Sequence, residues 1–185
     1  MGCDIHSFAE RKRNGKWEKV EEGFIEISNE KEKGNEPFDW RSYSIFAFLA
    51  GVRNYDCCEP ISEPKGLPDD SEYLNEIYDE DAFYGVATTN KQDIEEGYHS
   101  CSYLTLKELL DFDYEKTFWN RRISRTTYRA DGSVSGSNGA CLAEEGEGEI
   151  VTYRENLGNN FFKELEELKT LGEPENVRIV FYFDS

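Results

Sequence analysis

Val177–Ser185, VRIVFYFDS, is the stretch whose reading decides the fold. It is β-branched and aromatic, apolar on both faces, and too short for a buried helix. Such a run buries both of its sides only as an inner strand of a sheet. A partner of matching character is CDIHSFAE, residues 3–10. Alternation there sends Asp4, His6 and Phe8 to one face and Cys3, Ile5, Ser7 and Ala9 to the other. Asn14-Gly15 supplies the two positive-φ positions of a tight turn, with Trp17 and Val20 on the returning strand. The expectation is a sheet in which residues 3–10 and 177–185 are neighbours.

The intervening chain supplies helices and irregular segments. GFIEIS (Gly23–Ser28) reads as a short strand and NEKEKGNEP as a charged loop. SIFAFLAGV reads as a buried helix capped by Ser42 or Ser44. RNYDCCEPISEPKGLPDD is an ordered irregular loop, because Ile61 and Leu67 need burial. SEYLNEIYDEDAF fits a short helix with Tyr73, Leu74, Ile77 and Tyr78 on one side. Thr105 followed by Glu108 is a capping box that opens a helix at Leu106. Residues 131–149 are glycine-rich and read as a mobile loop or hairpin tip. NNFFKELEELKTLGEPE is an amphipathic helix closed at Gly172. Strands and helices in this mixed order imply an α+β fold, a mostly antiparallel sheet with helices packed on it, in a single domain over 1–185.

Composition narrows the function. The 185 residues carry a formal net charge of -18 and an aromatic content of 14%. The aromatic load argues for a packed core, and the charge argues against direct nucleic-acid binding, which needs clustered Lys and Arg. No apolar run approaches the roughly 18 residues of a membrane span. The five cysteines (Cys3, Cys57, Cys58, Cys101, Cys141) are odd in number and lack CxxC spacing. Reduced thiols in a cytoplasmic setting are the simplest account. Oligomeric state is not written in the sequence, and a homo-oligomer stays open.

Five stretches taken together carry a resemblance: MGCDIH, RSYSIFAFLAGVRNYD, PISEPKGLPDD, GYHSCSYLTLKEL and VRIVFYFDS. In this order they resemble a family of small uncharacterised proteins encoded by bacteriophages and prophages. Residues from about 111 to 160 stay unmatched. The family pattern resembles RNY and PRGLP, where this chain has Arg41-Ser42-Tyr43 and Pro64-Lys65-Gly66. The resemblance implies phage origin, hence host cytoplasm, and a shared fold, without implying a reaction.

Both histidines, His6 and His99, fall inside these blocks, with Asp4, Arg41, Arg53, Asn54, Asp69 and Asp70. Asp4 and His6 share a strand face with Cβ atoms roughly 6 to 7 Å apart, close enough for a carboxylate to orient an imidazole. If the YHSC loop brings His99 alongside, Asp4, His6 and His99 form a candidate catalytic set or a divalent-metal site. No other cofactor is indicated. Arg41, Arg53 and Lys65 are the cations an anionic ligand would meet in so acidic a chain. Asn54 lies beside Arg53, and Tyr43, Tyr55 and Tyr98 are surfaces on which a base would stack. The expected site is a cleft where His6 faces the YHSC and RNYD loops, with His6, Arg41, Tyr43, Arg53, Asn54, Lys65, Tyr98 and His99 as ligand contacts.

Three functions compete. The first is a phage accessory protein that sequesters a small anionic, nucleotide-type ligand, such as a signal of host immunity. The second is a hydrolase or transferase working through Asp4, His6 and His99, with or without a metal. The third is an acidic decoy that occupies a nucleic-acid site on a host protein.

Overall fold

A computed structural model of the protein describes residues 2–26, 32–75 and 91–184. In chain order the first elements are strands β1 (Asp4–Arg13), β2 (Lys16–Lys19), β3 (Ile25–Glu26) and β4 (Lys33–Gly34), then helix α1 (Tyr43–Ala50). Helix α2 (Lys91–Gly97), strand β5 (His99–Thr105) and helix α3 (Leu106–Asp111) follow. Strands β6 (Thr117–Asn120), β7 (Arg122–Tyr128), β8 (Val134–Leu142) and β9 (Glu149–Thr152) lead to helix α4 (Tyr153–Leu168) and strand β10 (Val177–Asp184). Every ladder between these strands is antiparallel, so the fold is α+β. The expected positions Ile27, Ser28, Ile77 and Tyr78 lie outside the described residues.

The chain forms two compact units: Met1–Arg41, Glu63–Phe112 and Asn159–Ser185 make the first, and Ser42–Ser62 with Asp113–Gly158 make the second. The boundary inside α4 falls at Gly158, whose φ of 75° and ψ of 171° interrupt the helix.

The first unit is built on a four-stranded sheet in the order β2-β1-β10-β5. Strand β10 is inner, as its two apolar faces require, and pairs with β1 from Asp4↔Asp184 to Arg11↔Val177. Asn14 (φ 51°) and Gly15 (φ 84°) make the turn between β1 and β2. Residues directly opposite in an antiparallel ladder share a face. One face therefore carries Ile5, Ala9, Ile179, Phe181, Phe183 and Leu104, all buried. The other carries Phe8 and Val180, which cluster with Leu67, Leu74, Ile94 and Cys101.

Further along this second face lies a buried ion-pair network. The Arg178 guanidinium donates through Nε to Glu10 Oε2 at 2.6 Å and through Nη1 to Asp70 Oδ1 at 2.7 Å. Ser71 Oγ donates to the other Glu10 oxygen. Arg178 sits 4.1 Å from the Trp17 ring centroid and 5.4 Å from that of Tyr103. Charged groups this deep are tolerated because each finds a hydrogen-bonding counter-ion.

In the second unit, α1 buries Ile45 through Ala50. Gly51 closes it at φ 68°, with its N–H on Ala47 O and that of Val52 on Phe46 O. Ser42 occupies the N-cap without a side-chain capping bond. Phe48 packs against Tyr114 and Tyr153, and Tyr153 against Phe118. Residues 131–149, expected as a mobile loop or hairpin tip, contain strand β8, which pairs with β7; the turn is confined to the residues between Tyr128 and Val134. Strand β9 pairs with β6 instead.

Candidate functional site

At the end of the first unit's sheet, β1 and β10 place Asp4 opposite Asp184 and His6 opposite Tyr182. His6 Nε2 lies 3.1 Å from Asp184 Oδ2, and the Asp4 backbone N–H donates to Asp184 Oδ1 at 3.0 Å. The imidazole stacks on Tyr182 at 5.4 Å and meets Tyr98 edge-on at 5.1 Å; the two tyrosines are 4.8 Å apart. His6 keeps 41% of its side chain exposed, and its Nδ1 has no hydrogen-bond partner among the described residues. The result is a shallow aromatic notch with one imidazole at its rim.

The surrounding electrostatics follow from these contacts. The His6 hydrogen bond, helped by the Asp4 N–H, holds the Asp184 carboxyl below the usual carboxylate range. The Arg41 guanidinium grips Asp4 through Nε to Oδ1 at 2.7 Å and through Nη2 to Oδ2, and lowers that carboxyl too. A Cβ added at Gly2 would stand 2.8 Å from Arg41 Nη1, so the glycine backbone flanks the guanidinium. Burial pushes the Tyr182 hydroxyl up to about 12, which keeps it protonated at physiological pH.

His99 is not part of this cluster. From Phe181 to Phe183 the register shifts, and β5 spends three steps on the span that β10 covers in two. This bulge, with Ser100 at φ 51°, turns His99 toward the Phe183 side of the sheet. There His99 stacks on Phe183 at 6.0 Å and contacts Ser100 Oγ through Nδ1. His6 lies on the Tyr182 side. The GYHSC segment thus delivers Tyr98 to His6 and carries His99 away from it.

The remaining anticipated contacts are distributed. Lys65 pairs with Glu108, with its ammonium 5.0 Å from the Tyr103 ring centroid. Tyr43, Arg53 and Asn54 belong to the second unit. There Asn54 braces its own loop: its side chain donates to Cys58 O at 2.7 Å and accepts from Cys58 N–H at 3.2 Å. Arg53 adopts a φ of 50°, and Tyr43 packs on Phe46 and Tyr55. Among the described residues no three His, Cys, Asp or Glu side chains are grouped to hold a metal ion.

Sequence reasoning did not single out Asp184 or Tyr182. The alternation of β10 was the available signal, because any partner of the Asp4–His6 face must come from Tyr182 and Asp184. None of the cysteines forms a disulfide among the described residues, and burial with the nearby Asp56 charge raises the Cys58 thiol to about 12. Among the described residues no helix is long and apolar enough to cross a membrane. No known family model, curated protein or solved structure matches the chain.

Proposed function

We propose that this is a phage accessory protein that binds and sequesters a small anionic ligand of the nucleotide type at the His6 notch. One arrangement carries the reading: a half-exposed imidazole held by Asp184 and framed by the Tyr98 and Tyr182 rings. The rings offer a surface on which a base stacks, and His6 Nδ1 is a donor or acceptor left for the ligand. The anionic group is assigned to Arg41. Its ion pair with Asp4 is half-exposed on both sides, and water competes for both partners of such a pair, so a phosphate exchanges with the carboxylate at little cost. Arg53 and Asn54, anticipated as contacts, are not needed for this reading.

The test is a thermal-shift screen with cyclic dinucleotides, mononucleotides and ADP-ribose derivatives, repeated on Arg41→Ala and Tyr98→Ala. A bound ligand raises the Tm of the wild-type chain in a concentration-dependent way, and both variants lose most of that rise. A panel that leaves the wild-type Tm unmoved sinks the proposal.

A second reading rests on the His6–Asp184 contact, which has the geometry of a base and its orienting carboxylate. In a hydrolase or transferase the base would be His6 with Asp184 as its partner, because His99 faces the other side of the sheet. Nucleotides recovered unchanged after prolonged incubation with the protein and added divalent metal would remove it.

A further inference from the structure

The first unit also holds a cleft of about 400 Å³ whose lining includes none of the residues assigned to the His6 notch. Its walls are β3 and β4 (Ile25, Glu26, Gly34), the segment that carries Asn35, Glu36, Asp39 and Trp40, and the α4 face that bears Asn160, Lys163 and Glu164. The volume falls within the range of small-molecule sites. Trp40 is braced edge-on against Phe38 at 6.1 Å, and Phe38 stacks on Phe161 at 4.8 Å, so the aromatic wall is backed by core. Phe38 takes a φ of 61°, and its N–H donates to Glu164 Oε2 at 2.6 Å. Strained non-glycine backbone of this kind marks a position fixed by its surroundings.

The charges that face Glu164 come from each wall. Lys163 is the cation among the lining residues, and Glu26 occupies it at 3.2 Å. Asp39 and Glu36 come from the segment before Trp40, and Glu167 lies one turn along α4. Burial, reinforced by the Asp39 and Glu167 charges and opposed by the Phe38 N–H and Lys163, raises the Glu164 carboxyl to about 7. Desolvation raises Asp39 as well. An anion finds no uncommitted cation in this lining, and no three ligating side chains converge here among the described residues. A molecule that brings one positive charge of its own, together with an apolar body, complements both the carboxyls and the indole.

We propose that this cleft binds a small organic amine, with Glu164 as its counter-ion and Trp40 as the surface on which the apolar body rests. Trp40 precedes Arg41 in the chain and the Glu36 charge acts on Tyr182, so the cleft and the His6 notch are neighbours with separate linings.

The experiment uses phenethylamine as probe, with phenethyl alcohol and 3-phenylpropionate as a neutral and an anionic molecule of similar body, read by calorimetry and by the Trp40 indole resonance. The amine is expected to bind at least tenfold more tightly than the alcohol, with no measurable binding of the acid. Because Glu164 must release its proton to meet the amine, affinity rises about tenfold from pH 6 to pH 8. Glu164→Gln, whose amide oxygen still accepts from Phe38 N–H, lowers affinity at pH 8 at least tenfold and flattens the pH profile. Glu173→Gln, exposed and outside the cleft, changes affinity less than twofold. Equal losses in the two variants would assign the binding to the general acidity of the surface and overturn the proposal. So would equal affinity for amine and alcohol, or an unshifted Trp40 resonance at millimolar amine. The Tm of each variant is measured alongside, and Asp39→Asn provides a second lesion in the same wall should Glu164→Gln unfold.

Discussion

Ile5 and His6 are adjacent in β1 and do opposite things. Ile5 is 5% exposed in the core, while His6 stands at the rim of the notch. Ile5→Ala is expected to cost about 2–5 kcal/mol in chemical denaturation, the range for a large-to-small change in a packed core. His6→Ala should change stability by less than about 1 kcal/mol, and weaken ligand binding by about 1–3 kcal/mol, the size of a lost charge-assisted hydrogen bond. If His6→Ala unfolds the protein, the imidazole is a structural tie. Arg178→Met is expected to cost about 3–5 kcal/mol, because Glu10 keeps a buried charge and loses its counter-ion. Glu164 carries a pH dependence with a definite sign. Its folded pKa of about 7 lies above the ordinary 4.5, so its neutral form belongs to the fold. The stability it permits is complete below 4.5 and is lost as pH rises through 7. Glu164→Gln should therefore leave the Tm unchanged near pH 4 and raise it above wild type near pH 8. Of these residues, the alternation at Cys3–Glu10 made Ile5 and His6 legible. Glu10 and Arg178 were not, because a buried ion pair reads in sequence like two ordinary surface charges until the register places them side by side.

At the scale of elements, the bulge in β5 decides which residues can meet. Without it, strict alternation would carry His99 to the His6 side; with it, His99 stands on Phe183. Ser100 bears the conformational cost at φ 51°. Ser100→Gly relieves it and should raise the Tm or leave it level, while Ser100→Val should cost about 1–2 kcal/mol, the left-handed penalty of a residue with a Cβ. Both variants can be compared by thermal unfolding, and a neutral valine would show that the bulge is not held at this residue. Elements with a strong local signal were readable: the turn at Asn14-Gly15, the capping box of Thr105 and Glu108, and the inner position of β10. The bulge was not, since GYHSC offers no glycine at the bulged position. Strand β8 was missed for a related reason. Its glycines weaken any propensity for a strand, and it owes its conformation to the β7 ladder beside it.

For the whole molecule the dominant quantity is the formal charge of -18. Like charges repel in the compact state more than in the expanded chain, so screening favours folding. Raising the salt from about 20 to 300 mM, which shortens the Debye length from roughly 20 to 6 Å, should raise the Tm in this protein. A falling Tm would show that the surface ion pairs, such as Lys116–Glu59 and Arg154–Glu115, outweigh the net repulsion.

The place of β10 in the sheet has one more consequence, for the order in which a ribosome makes the chain. The strand between β1 and β5 comes after every other element described here. Until residues 177–184 clear the exit tunnel, β1 and β5 each present an unsatisfied edge and no shared interior. The nascent hairpin of β1 and β2 must wait with Phe8 and Ile5 uncovered, a state open to chaperones and to mispairing with neighbouring chains. A premature stop just before Val177 removes less than a tenth of the sequence and leaves the first unit without its sheet. Its products are expected in the insoluble fraction, where a stop-codon series tested by solubility would find a sharp threshold at this strand instead of a gradual decline.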